Sequence, residues 1–390
     1  MILKVEPLPS EKKLWGRVCK VKTSKGTFET PYRVSTKVEF DSKVNIPTDL
    51  KIESVFSEAI FEYRHEDVES FLKKNGEFGK RRSNLEAQSD MMEYSHLISY
   101  YPKLPQNTSL DMRGMKLFLE LQIRSPIHIV SIPVFKENDS YEKDLQTYCE
   151  YIRDEGNKNP MPILDLGWDV DLFKSRFDSI CKNFVDEKTD TVHIIGFIYR
   201  NWWDYIQNFD YIFQNKGKEV LYHCLDVDRT YEISRLRREK AQTMHILQRW
   251  GFDTYSIKYR RGGGKKIEDE KEKRNMELKN QDIAQVLMFD RKTIGLFSID
   301  EWKKKYQHTL NCDCQLCHNL SFEDFIDKYG YDTASGKRSK LKLNYASKLH
   351  EYYSSSLEFD ESRTAIKEDD LKGYFNKKYF LKQSYGTFFQ

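Results

Sequence analysis

The sequence predicts an α/β protein: a (β/α)₈, TIM-like barrel with an N-terminal β-hairpin and a C-terminal zinc-binding subdomain. Three observations predict it. From Pro126 onward, short apolar runs of strand length alternate with amphipathic stretches of helix length, the pattern of parallel β/α units. Leu14 to Phe40 carries the composition of a β-hairpin or meander. Near the C-terminus, Cys312, Cys314 and Cys317 fall within six residues, which reads as a metal site rather than a disulfide framework.

Leu14 to Phe40 is rich in Val, Thr, Tyr and Phe, with a turn at Ser24-Lys25-Gly26. Glu66 to Lys74 and Asp111 to Arg124 read as helices, and Tyr100 to Thr108 as a loop. Five strand-like runs follow: Ile127–Val134, Pro162–Gly167, Val192–Ile198, Val220–Leu225 and Phe252–Tyr259. The first four lead into helical patterns: one through Tyr151, Leu172 to Phe184, a Trp/Tyr-rich stretch, and Thr230 to Trp250. Five units, with room upstream for more, suit a closed barrel better than an open doubly wound sheet. Gly262-Gly263-Gly264 opens a charge-dense stretch, Lys265 to Lys279, expected to be an insertion or a solvated helix. A strand at Gln285 to Phe297 leads into the cysteines, and Asn344 to Tyr374 reads as mostly helical. The expected division is a barrel over 1–300, with the hairpin and a charged insertion near 262–282, and a helical zinc-binding subdomain over 301–390.

Composition narrows the function classes. The chain has 390 residues, with Lys+Arg 64 against Asp+Glu 61, a net charge of +3. That excludes a polybasic tail protein but leaves room for a nucleic-acid binder whose positive charge is local. An aromatic content of 14% argues against wholesale disorder. No apolar run approaches the roughly 18 residues of a membrane span, and Met1 to Trp15 lacks a signal peptide's apolar core, so a cytoplasmic protein is expected.

A tetrahedral Zn²⁺ takes four soft or borderline ligands. Three are the clustered thiols. For the fourth, His308, His318 and His350 are candidates. His318 adjoins Cys317 and would have to turn back on the same ion. His350 lies on a predicted helix that is able to pack over the cysteine loop, and is preferred. Four protein ligands leave no open position for water, so one structural zinc per chain is expected.

Three separated pieces match one family in the same order. They are Gly16-Arg17 with Lys25-Gly26-Thr27-Phe28-Glu29-Thr30-Pro31, then Gly251-Phe252-Asp253-Thr254-Tyr255-Ser256, then Cys312-x-Cys314-x-x-Cys317 with Leu349-His350. Together with Ser362-Arg363-Thr364-Ala365-Ile366, they make the chain resemble the tRNA-guanine transglycosylase superfamily across residues 14–366. The resemblance implies a (β/α)₈ barrel with a zinc subdomain, which exchanges guanine in a polynucleotide for a 7-deazaguanine. It implies that one aspartate attacks C1′ to form a covalent intermediate while a second moves protons, as carboxylates do in retaining glycosidases.

The chain departs from the family at its carboxylates. The family's nucleophile position is Ser256 here, so the nearest carboxylate, Asp253, is taken as nucleophile, with Asp290 of Met288-Phe289-Asp290 as rival. The family's Asp-Ser-Gly-Gly-Phe-Gln motif is absent from His96 to Leu104. Asp165 and Asp226 fall near the ends of predicted strands, where barrel enzymes place their chemistry, and complete the candidate catalytic set. These departures resemble a divergent branch, the DNA 7-deazaguanine transglycosylases, and favour DNA over tRNA. The implied partners are DNA or tRNA and the free 7-deazaguanine base, with a homodimer or a partner protein left open. Alternatives are a catalytically silent nucleic-acid-binding subunit and a standard tRNA enzyme.

An enzyme that exchanges a base must flip it from the stack. Arg260, Arg261, Lys265 and Lys266 around the glycine hinge are the candidate phosphate contacts. Lys337 to Lys342 is a second basic run, and Trp202-Trp203 a candidate stacking surface.

Overall fold

The computed structural model describes residues 1–8, 16–40, 54–74, 76–105, 108, 110–135, 140–185, 192–234, 239–258, 282–307, 309–310, 312–318, 320–332 and 336–386. The chain divides into two compact units: Met1–Lys37, Glu53–Asp228 and Leu247–Tyr259 in the first, and Val38–Ile52, Arg229–Ile246 and Arg260–Gln390 in the second. The boundary expected at residue 300 therefore falls elsewhere. The second unit recruits residues 229–246 and the strands before the cysteines.

The first unit begins with an antiparallel sheet of β1 (Ile2–Pro7), β2 (Cys19–Thr23) and β3 (Gly26–Glu29), whose last turn is the expected one. Next come β4 (Tyr32–Arg33), β5 (Ser35–Thr36), β6 (Phe56–Glu62), β7 (Leu97–Lys103), β8 (Ile129–Ile132), β9 (Asn159–Asp165), β10 (Ile194–Ile198) and β11 (Leu221–Val227). The chain then passes through two strands of the second unit, β12 (Thr230–Ser234) and β13 (Glu239–Gln242), and returns as β14 (Thr254–Ile257). Among the described residues these form one nine-stranded sheet, ordered β4-β14-β11-β10-β9-β8-β7-β6-β5, with every pair parallel. Its two end strands flank Val34 in one extended stretch, so the sheet is barrel-like and nearly closed.

Helices of the predicted kind link the strands. Met112–Ile123 follows β7, Tyr141–Gly156 follows β8, Val170–Phe184 follows β9 and Ile206–Gln214 follows β10. Asp111 caps the first by accepting the Gly114 N–H at 2.7 Å, which satisfies one of the free amides of the first turn. Between β11 and β14 the expected Thr230 to Trp250 helix is replaced by the β12–β13 hairpin and a short helix, Thr243–Leu247. The loop expected at Tyr100 to Thr108 starts instead as the end of β7, and β6 had no counterpart in the sequence reading.

Inside this sheet the side chains form levels. Val34, Phe56, Leu97, Ile129, Met161, Ile194 and Leu221 cluster at the strand N-termini, where Ile2, Val5, Cys19, Val21 and Phe28 of the antiparallel sheet cover them. Toward the strand C-termini, Ile60, Tyr101, Ile163 and Leu225 form a second apolar level. Glu58, Ser99 and His223 lie between the two, all fully buried. Glu58 accepts from Ser99 Oγ at 3.1 Å and from Ser256 Oγ, and lies 3.1 Å from His223 Nε2. His223 Nδ1 is 2.8 Å from Thr254 Oγ1. Those bonds offset the desolvation that an isolated buried carboxylate would suffer.

The second unit holds an antiparallel sheet, β12-β13-β16-β15, completed by β15 (Leu287–Asp290) and β16 (Gly295–Ser298). The single strand expected over Gln285 to Phe297 is thus a hairpin, whose turn holds Ile294 at φ +65°, a strained conformation for a β-branched residue. Helices Ile299–Tyr306 and Phe322–Gly330 start from capping boxes, Ser298/Glu301 and Ser321/Asp324. The long helix Lys340–Lys367 follows the two-stranded pair β17 (Tyr331–Asp332) and β18 (Lys337–Arg338). Trp302, Phe322, Phe325, Leu349 and Tyr352 are among its buried core residues.

Candidate functional site

Two carboxylates stand at the C-terminal ends of the parallel strands. Asp165, the last residue of β9, faces the Arg200 guanidinium through both oxygens, at 2.9 Å from Nε and 2.6 Å from Nη2. It also accepts the Gly167 N–H at 2.8 Å. A side chain at Gly167 would come within 3.1 Å of both Asp165 Oδ1 and the Arg200 stem, so glycine leaves room for the pair. Such a fork fixes a carboxylate in plane as well as in place.

Asp226 lies in β11 at φ +60°, where the register with β14 shifts between Cys224 and Val227. A non-glycine residue in the left-handed region is strained, and a bulge at a barrel rim re-aims a side chain. Here the bulge brings Asp226 to Lys103 Nζ, 2.9 Å away at the end of β7. Burial pushes the Asp226 carboxyl up, and the Lys103 charge opposes that shift. Tyr101 of β7 feels the charges of Asp226, Glu58, Arg200 and Asp165, so the two carboxylates share one electrostatic neighbourhood.

Beside Asp165 a cavity of about 630 Å³ opens among the strand ends and the helix starts that follow. Tyr101, Ile163, Asp165, Trp168, Ile198 and Arg200 belong to its wall, as do Met112, Met115 and Phe135 on the outer side. Its wall mixes apolar and aromatic side chains with polar groups, Asp111, Asp144, Asp165 and Arg200 among them.

Asp253, expected to be the nucleophile, is placed at the opposite end. It precedes β14, fully buried, and forms an ion pair with Arg17. It also accepts Thr30 Oγ1 at 2.9 Å and the Tyr222 N–H at 2.8 Å. Arg17 in turn donates to the carbonyls of Lys216 and Lys218 at 2.6 and 2.8 Å, and lies 4.0 Å over the Tyr222 ring. The family-like segments at Gly16-Arg17, Thr30 and Gly251 to Ser256 therefore meet, but as a structural tie at the strand N-termini. Asp253→Ala is expected to cost about 3–5 kcal/mol by stranding a buried guanidinium, read as a lowered denaturation midpoint. An unchanged midpoint would count against this assignment. Ser256 is itself sealed, bonded to Glu58.

In the second unit, Cys312, Cys314, Cys317 and His350 come together, with their ligand atoms all within 4.8 Å of one another. His350 Nδ1 is 3.8, 3.5 and 3.0 Å from the three sulfurs in order. Donors at roughly 2.3 Å (S) and 2.0 Å (N) from one tetrahedral ion stand about 3.5 Å apart, so the set fits a metal such as zinc. His350 Nε2 is 2.8 Å from the Phe289 carbonyl. A carbonyl only accepts, so Nε2 carries the proton and Nδ1 turns its lone pair to the thiols. This is the outer hydrogen bond that metal-binding histidines typically make. The cluster is able to hold a metal ion, and the fourth ligand is the one the sequence favoured. His318 is exposed, and His308 lies outside the described residues.

The remaining expectations divide. Asp290 is a turn residue of the β15–β16 hairpin, accepting from Thr293 Oγ1 at 2.6 Å and from the Tyr306 hydroxyl. Arg260, Arg261, Lys265, Lys266 and the charged insertion lie outside the described residues. In the second basic run, Arg338 pairs with Asp327 and Lys342 with Asp332, both at 2.8 Å. Trp202 is buried and stacked at 4.0 Å on Trp203, which is 50% exposed. Sequence reading missed Tyr101, Lys103, Arg200, Glu58 and His223. Only Arg200, two residues past a recognised strand, carried a signal.

No protein-family model matches the chain, and no curated protein matches it. Among the described residues, no helix is long and apolar enough to cross a membrane.

Proposed function

We propose that the chain is a base-exchanging pentosyltransferase built on a (β/α)₈ barrel, replacing guanine in DNA with a 7-deazaguanine. The observation that carries this reading is Asp165 in the wall of a cavity at the C-terminal strand ends, with a second carboxylate, Asp226, at the end of β11 acting on the same Tyr101. Active sites of parallel barrels occupy that end. The Cys₃His cluster adds the family's second mark, with zinc in a structural role because four protein ligands close the coordination sphere.

In this reading Asp165, gripped by Arg200 and open to the cavity, is the nucleophile. Its oxygen bonds to C1′ as the C1′–N9 bond breaks. Asp226, whose carboxyl burial pushes up, gives its proton to the departing guanine. The incoming 7-deazaguanine then attacks C1′, releases Asp165, and passes its ring proton back to Asp226. One glycosidic bond is broken and one made, so no energy source is consumed.

The test is incubation with DNA and with tRNA separately, adding labelled 7-deazaguanine to each. Incorporation into DNA alone is expected. Incorporation into tRNA alone would replace the polymer assignment. Binding to DNA without incorporation into either would favour a catalytically silent nucleic-acid-binding subunit. The sealed Ser256 at the family's nucleophile position supports that second reading.

A further inference from the structure

Tyr101 and Tyr100 are neighbours on β7 with opposite fates. The Tyr100 hydroxyl lies 2.9 Å from the Tyr63 hydroxyl on the outer face of the strand. Tyr101 points the other way, packing its ring with Ile60, Ile163 and Leu225 and lining the cavity. It is 3% exposed, yet among the described residues its hydroxyl has no hydrogen-bond partner. Trp168, another wall residue, differs: its indole N–H is sealed away from the cavity, buried without an acceptor. Buried phenols and indoles ordinarily find a partner. A phenol able to donate, in a cavity wall and with no protein acceptor, calls for a ligand that accepts.

The surroundings decide which role the phenol takes. Burial, with Asp226, Glu58 and Asp165 around it and only Arg200 opposing, holds it well above the usual tyrosine range. It keeps its proton and meets a ligand as a donor.

We propose that Tyr101 is a specificity-determining residue that donates its hydroxyl hydrogen to a ring carbonyl of the base in this cavity, selecting oxo-purines over rings that carry an amino group or a hydrogen there. The inference rests on the base-exchange reading for the class of ligand. An amino group at that position would set donor against donor and leave the phenol unpaired. A site built to hydrogen-bond its ligand rejects analogues that lack the group.

The test is equilibrium binding of guanine and of 2-aminopurine, which lacks the 6-oxo group, to the full chain and to Tyr101→Phe. The wild type is expected to prefer guanine by about ten-fold or more. Tyr101→Phe keeps the ring and removes only a hydroxyl without a protein partner, so its melting temperature should match the wild type. It should lose guanine affinity by about ten-fold while 2-aminopurine binding stays unchanged. If the wild type binds guanine and Tyr101→Phe keeps the full preference, the role of Tyr101 is overturned and the base-exchange reading stands. If the wild type binds neither base, that reading falls first and this one with it.

Discussion

Asp165→Asn is expected to lower incorporation of labelled 7-deazaguanine by at least about 10³-fold, while the protein melts close to the wild-type temperature. In the proposed mechanism the substitution removes the attacking oxygen's charge but keeps the shape of the group. The Arg200 side chain is 28% exposed, so losing its ion pair should cost no more than about 1 kcal/mol. Covalent trapping of the polynucleotide should vanish with activity; a variant that still formed the adduct would move the nucleophile elsewhere. Asp226 should leave a different signature. In its proposed role as proton donor it must be protonated, so the rate should fall as pH rises through its raised pKa. Lys103 lowers that pKa, so Lys103→Met is expected to move the alkaline limb to higher pH. A limb that stayed in place or moved down would separate Asp226 from the proton transfer.

Cys314→Ser should empty the metal site. Metal content is expected to fall from one zinc per chain to near zero, and solubility should fall with it. Cys314 is 1% exposed and sits in a core with Phe325, Leu349 and Tyr352. The cluster joins the cysteine loop to the middle of Lys340–Lys367, and through Phe289 to the β15–β16 hairpin. Metal binding at such sites is coupled to folding and worth on the order of 10 kcal/mol, so losing one ligand should open this unit to amide exchange. His350→Ala should do the same, and chelation of the wild type should reproduce both. Wild-type zinc stoichiometry in Cys314→Ser would refute the ligand assignment.

The readable parts of this chain are those whose residues answer to one local rule. β8 to β11 announce themselves because both faces are buried and the runs stay apolar. The cysteine cluster is legible because thiol spacing and coordination chemistry restrict each other. β6 and β7 hide because the interior takes Glu58 and Ser99, and Pro102 sits in β7 itself. A carboxylate inside a strand reads as surface until its partners on three other strands are known. Residues 230–250 mislead for a different reason: their strands answer to the second unit's sheet. Asp253 shows the same limit at the candidate site. The segment around it was legible as a family-like strand, but its pairing with Arg17, 236 residues away, decides what the carboxylate does. Asp226 gains its place from a backbone bulge that no residue type announces.

Residues 32–36 pair on one side with β6 and on the other with β14, so the ring of strands waits for its last member. During synthesis the N-terminal stretch emerges early, while the edge that seals it leaves the ribosome more than two hundred residues later, after the β12–β13 excursion. Until then the nascent chain presents two open strand edges, the exposure that invites association with other chains. Production of this protein should therefore depend on translation rate and chaperone supply more than its finished stability would suggest. A truncation anywhere before residue 257 would leave the ring unsealed.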